Sequence, residues 1–146
     1  MRTRVLLAQF REPRAYPLLV AFFSMPGDLA FEATGDVVAT DLGRMFASVS
    51  GGDIRLLTTV VENPQGHEEV RGAALHGLLT LMVCGEYARD DLIAYYQQLF
   101  RGTLVREGSW VWTELVLACM DLYPDELYED ITHAYDDDLI ETDFLP

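Results

Sequence analysis

The sequence contains no lysine: its ten basic residues are all arginine, set against 24 acidic residues for a formal charge of -14. That balance repels phosphate backbones and anionic lipid surfaces, so it argues against a nucleic-acid partner or an electrostatic membrane anchor. Cysteine is almost missing. Cys84 and Cys119 form no CxxC pair and no Cys/His spacing, which excludes a disulfide framework and a cysteine zinc site. Both lie in apolar helical patterns, and the expectation is two buried free thiols in a reducing cytoplasm. Long apolar runs are absent as well. Ala73 to Cys84 is interrupted by His76, Gly77 and Thr80 and falls well short of the roughly 20 residues that cross a bilayer. The basic start from Met1 is broken at Gln9, Arg11 and Glu12, too early for a secretory signal. No phosphate loop is present either, because Gly51-Gly52-Asp53 lacks the lysine and the spacing.

What remains is 146 residues, half of them hydrophobic, enough for a single domain over 1–146 with one core. Apolar residues recur at three- and four-residue spacings with no clean two-residue alternation, which predicts helices throughout and an all-α fold. Breakers divide the chain. Pro13 and Pro17 suit the first turn of a helix ended by Met25-Pro26-Gly27-Asp28, and Thr34-Gly35-Asp36 begins a second helix that runs to Ser50-Gly51-Gly52. Asp53 caps a short helix closed by Asn63-Pro64, and His67-Glu68-Glu69 opens a longer one ending near Gly85. Asp90 leads into 91–100, Ser109 caps 110–122, and Pro124-Asp125-Glu126 opens the last, 127 to about 135. The expected total is seven helices.

These helices echo one another. Leu18-Leu19, Leu56-Leu57, Leu92-Ile93 and Leu127-Tyr128 follow at steps of 38, 36 and 35 residues, and Val70, Ala74 and Leu75 align with Val111, Leu115 and Val116, 41 residues later. Steps of this size are those of two-helix units, so the expected architecture is antiparallel helix pairs stacked as a short HEAT/armadillo-like solenoid. The runs Arg11 to Val20, Asp41-Leu42 to Gly52-Asp53, Glu69 to Leu75, and Trp110-Val111-Trp112 also resemble the bacterial family catalogued as domain of unknown function 1186. That resemblance implies a HEAT-like helical repeat and brings no catalytic residue with it. Some relatives carry a cysteine-rich zinc motif after the repeats. No cysteine follows Cys119, so the expectation is a chain without that appendage or a piece of a longer one.

Catalytic chemistry finds little support in the residues. One His-Glu dipeptide, His67-Glu68, does not make a di-iron site, which needs several converging from different repeats. His133 with Asp136 and Asp137 is the best metal-like cluster, and it supports a metal-binding or metal-dependent reading as the alternative. No cofactor is expected, and neither cysteine has an arginine nearby or begins a helix, so nothing local activates either thiol. Charge is more informative: Glu107 to Pro146 holds 12 acids and no base. Trp110 and Trp112 point roughly 160 degrees apart on a helix, so they do not share one core wall. An exposed aromatic among carboxylates suits a basic peptide, and the candidate surface is therefore Tyr95, Trp110, Trp112, Glu114, Asp121 and Asp125. The resulting expectation is a non-catalytic interaction or scaffolding module that favours a basic protein or peptide segment. Homo-oligomerisation through the Arg-rich first helix and Phe144-Leu145 is a further expectation.

Overall fold

The computed structural model describes residues 12–25, 29–34, 41–122 and 125–144. Among these residues every regular element is helical: α1 Ala15–Phe23, α2 Leu29–Thr34, α3 Leu42–Ser50, α4 Arg55–Glu62, α5 Glu68–Val83, α6 Arg89–Gln98, α7 Trp110–Met120 and α8 Tyr128–Asp136. A π turn, Leu99–Thr103, extends α6, and short 3-10 turns lie at Asp125–Leu127 and Thr142–Phe144. No described helix is long and apolar enough to cross a membrane. The basic residues Arg2, Arg4 and Arg11, the expected helix start at 35–40, Pro124 and Leu145 lie outside the described residues.

Most expected boundaries fall where the local chemistry puts them. Gly51 adopts the left-handed conformation that ends α3, at φ 60. Asp53 accepts the Arg55 backbone N–H at 3.0 Å and so caps α4 from just ahead of it. Two expectations need correction. Ser109 holds the position before α7 in extended backbone, but its hydroxyl makes no capping bond. Thr34, expected to begin the second helix, instead ends α2, a helix not expected over 29–34, where Ala30 is buried and accepts the Thr34 hydroxyl at 2.7 Å.

The centre of the molecule is α5. It carries buried residues on most sides, from Val70 through Leu81, and packs against α3, α4, α6 and α7. The remaining stripe, Glu69, His76, Thr80 and Val83 at three-, four- and seven-residue spacing, stays partly or fully exposed, so the helix is enclosed on every face but one. Close approach to α3 rests on paired glycines. A Cβ on Gly43 would lie 3.0 Å from the Ala73 carbonyl oxygen, and one on Gly77 would lie 3.1 Å from the Gly43 carbonyl oxygen. On the other side, Gly72 leaves room for Glu114 of α7, whose Cγ would be 2.6 Å from an added Cβ.

The repeated leucines follow the same logic. Leu19, Leu57, Leu92 and Leu127 are all buried, while Leu18 and Tyr128 point outward and are each 72% exposed. Val70, Ala74 and Leu75 of α5 and Val111, Leu115 and Val116 of α7 are buried without exception. They belong to one continuous hydrophobic cluster that runs from Ala15 to Ile140. Tyr96 adds a polar anchor at its middle, donating its buried hydroxyl to the Leu75 carbonyl at 3.0 Å.

A phenol clips α1 onto the start of α4: the Tyr16 hydroxyl donates to the Asp53 carbonyl at 2.6 Å and accepts the Leu57 N–H at 3.2 Å. Burial pushes this phenol up from 10.0 to about 12. The unfolded chain gives up that proton first, so the contribution is intact below pH 10.0 and disappears between there and about 12. Tyr16→Phe strands the Leu57 donor and should cost about 1–3 kcal/mol in urea denaturation, with a smaller loss of stability at alkaline pH than the parent. Gly77→Leu should cost on the order of 3 kcal/mol by forcing α3 and α5 apart, and an unchanged urea midpoint would refute the close crossing.

Candidate functional site

A cleft of about 360 Å³ opens where the α4–α5 turn meets the connection between α6 and α7. Glu62 and Pro64 form one side, and Glu68 and Arg71, from the first turns of α5, form the back. Leu104, Val105, Glu107 and Ser109 of the connection face them, with Val111 and Trp112 of α7 completing the wall. Three carboxylates therefore share the cleft with one guanidinium. The volume lies at the small end for ligand clefts, room for one or two extended residues rather than a helix.

The wall is held rigidly. Trp112 is only 1% exposed; its indole N–H donates to the Val105 carbonyl at 3.0 Å, and its ring tilts against Phe100 at 5.9 Å between centroids. Arg106 lies over the same ring, 5.3 Å from its centroid, donates to the Phe100 carbonyl at 2.9 Å and pairs with Asp137. These contacts pin both arms of a connection that contains the unusual Gly102, at φ 146. Only glycine takes that backbone without strain.

Arg71 is the least exposed charge in the cleft: it is half-buried, whereas Glu62, Glu68 and Glu107 are exposed. Its Nε donates to the Val61 carbonyl at 2.8 Å, supplying the C-terminal end of α4 with a cation. No carboxylate lies within 4.0 Å of it among the described residues. Burial lowers the guanidinium from its usual value, and the charges of Glu68 and Tyr95 oppose that shift. Beside the cleft, Tyr95 donates to Glu62 at 3.1 Å; burial first, then the Glu62 charge, pushes the phenol far up.

The six candidate surface residues are distributed unevenly. Trp112 lines the cleft as a buried wall, which corrects the expectation of an exposed indole: its ring is needed to close the α6–α7 connection, whereas Tyr95 is outside the lining and reaches it through its bond to Glu62. Trp110 is half-buried at the start of α7. Glu114 turns inward, with its side chain 16% exposed and its Oε2 2.5 Å from His76 Nε2, so it joins α7 to α5 instead of facing a partner. Asp121 and Asp125 are exposed beyond the far end of α7, with Asp121 about 14 Å along the axis from Trp112 at ~1.5 Å per residue.

Cys119 is buried, and burial pushes its thiol up, but Cys84 is exposed because α5 ends just before it, which corrects the expectation of two buried thiols. His133, Asp136 and Asp137 are all exposed, and Asp137 is engaged by Arg106. Among the described residues no group of three His, Cys, Asp or Glu could hold a metal, so the expected cluster does not assemble. His67 instead caps α5, its Nδ1 accepting the Glu69 N–H at 3.1 Å.

Arg71 and the cleft escaped the sequence reading because their surroundings come from three separated segments. The one local signal is an arginine set between Val70 and Gly72, within the apolar face of the central helix.

The same glycine-bearing helix and Trp-Val-Trp segment lie in a region with recognised kin: the family described as "Protein of unknown function (DUF1186)" matches residues 2–146. The chain belongs to the DUF1186 family. An "Uncharacterized protein" of Chlamydia trachomatis serovar D is 37% identical over 140 residues, covering 96% of this chain and 55% of that protein. An "Uncharacterized protein" of Chlamydia muridarum is 36% identical over 140 residues, covering 96% of this chain and 56% of its own length. The chain thus spans about half the length of these curated relatives. No solved structure matches it.

Near the cleft, Glu69 is raised from 4.5, chiefly by burial and then by the Glu114 charge. Carboxyl NMR titration should find Glu69 above the ordinary glutamate value, and Glu114→Gln should bring it part of the way down while burial holds the rest. A Glu69 titration indifferent to Glu114→Gln would show that the two carboxylates do not sense each other.

Proposed function

We propose that this DUF1186 chain is a non-catalytic binding module that receives a basic protein segment in the cleft between the α4–α5 turn and the α6–α7 connection. The observation that carries the reading is the juxtaposition of Glu62, Glu68 and Glu107 around a pinned wall of Leu104, Val111 and Trp112. Carboxylates steer and select a cation, and the apolar wall accepts the methylene stem of a lysine or arginine.

The wider charge distribution supports it. In the C-terminal part of the chain, arginine engages Glu126, Asp130 and Asp137. Asp121, Asp125, Glu129, Asp136 and Glu141 are exposed and make no ion pair with another described residue. Most of the local negative field is therefore left for a partner.

The helix contacts favour the solenoid reading: α1 touches α3, α3 touches α5 and α5 touches α7, while α4 and α6 lie against the same central helix. Alternate helices in sequential contact are what stacked helix pairs produce. The reading also takes the chain as cytoplasmic, where an exposed Cys84 stays a thiol.

A fluorescein-labelled peptide of alternating arginine and serine is the direct probe. Fluorescence anisotropy should show binding that weakens about tenfold between about 20 mM and 200 mM salt. The triple variant Glu62→Gln, Glu68→Gln, Glu107→Gln should lose about tenfold in affinity, whereas Asp121→Asn with Asp125→Asn should change it less than threefold. Equal binding of a glutamate-serine peptide, or a triple variant that binds like the parent, would overturn the reading.

A further inference from the structure

The cleft's charges are of two kinds. Glu62, Glu68 and Glu107 are exposed, and Arg71 is half-buried. A ligand with cations alone would bring one of them against Arg71. A ligand with an anion alone would meet three carboxylates. Both demands are met by a chain that carries positive side chains and ends in a negative group.

We propose that the cleft recognises the C-terminal residue of a basic protein segment, with its α-carboxylate on Arg71 and its cationic side chain among Glu62, Glu68 and Glu107. This rests on the binding-module reading above and narrows its ligand. Arginine presents five N–H donors in a planar fork. The bond to the Val61 carbonyl uses Nε, and no described carboxylate engages the terminal nitrogens. Those nitrogens suit the paired, charge-assisted bonds that a carboxylate accepts.

Size distinguishes a chain end from an acidic side chain within a passing segment. A C-terminal arginine or lysine carries both charges on one residue, whereas a passing segment needs an acidic and a basic side chain to present them. Arg71 is held by its bond to the Val61 carbonyl, and the Trp112 bond to Val105 fixes another part of the lining. The cleft volume, about 360 Å³, accommodates that last residue and little more of the chain.

Arg71 also serves the fold through Val61, so loss of binding in a variant is not by itself informative. The decisive comparison uses the unmodified protein and two peptides of one basic sequence, one ending in a free C-terminal arginine and the other in its amide. The free acid should bind about tenfold more tightly by isothermal titration calorimetry, as expected for a charge-assisted pair. Arg71→Gln, confirmed as folded by circular dichroism, should bring the two peptides to within about twofold of each other.

Equal affinity of acid and amide for the parent protein would overturn this inference and leave the binding-module reading standing. Failure of both peptides to bind would overturn both.

Discussion

The crossing of α3 and α5 on glycine is the constraint from which the rest of the architecture follows. With Gly43 and Gly77 backbone to backbone, the two helices approach closely enough for Phe46 and Leu57 to enclose the same face of α5. Larger side chains there would leave voids beside the displaced helix, and the loss would spread through a core packed at crystal-like density. Gly72 performs the corresponding service toward α7, with the difference that the space it leaves is filled by a polar side chain, Glu114, tied to His76. One helix thus meets its neighbours through missing side chains on two faces, with leucine, alanine and valine filling most of its other buried positions.

The cleft is a product of that central placement. Because α5 is held in the middle, its first turns project between the end of α4 and the connection into α7, bringing Glu68 and Arg71 opposite Glu107 and Trp112. Trp112 is best understood as a structural part whose outer surface happens to be useful: its hydrogen bond to Val105 and its contact with Arg106 fix the loop that the cleft needs. Arg71 has a comparable double identity, a cap for α4 on one side and a charge facing the cleft on the other.

Local punctuation in the chain was sufficient to locate most helices, since Gly51-Gly52, Asp53, Asn63-Pro64 and the acids at 68–69 act on the residues beside them. Each repeated pair holds a buried leucine, but its place is not constant: it is the second member in Leu18-Leu19 and Leu56-Leu57, the first in Leu127-Tyr128, and in Leu92-Ile93 both members are buried. Other features depend on which segments meet. Nothing beside α2 announces that six residues between two breakers will coil, and periodicity read through Phe100 does not reveal the widening into a π turn. Trp110 and Trp112 were separable by angle, but which of them would be buried depended on Phe100 and Val105 arriving from another segment. The helix ends within two residues of the expected Gly85, and what the apolar run hid is that Val83 and Cys84 at its end have no neighbour to cover them and are exposed.

The last helix is attached differently from the others. Arg101 grips buried Asp130 through two bonds of 2.9 and 3.1 Å, Arg89 reaches Glu126 and the Leu122 carbonyl, and Arg106 reaches Asp137, so three arginines, from α6, its π turn and the connection that follows, contact the segment around α8. Within α8 itself only Asp130 and Ala134 are buried. Dissolved ions compete for partly exposed pairs of this kind and leave an apolar core nearly untouched. Ionic strength therefore weakens these three contacts, while Leu127, Ala134, Leu139 and Ile140 keep the segment in the hydrophobic cluster it shares with the helices around α5.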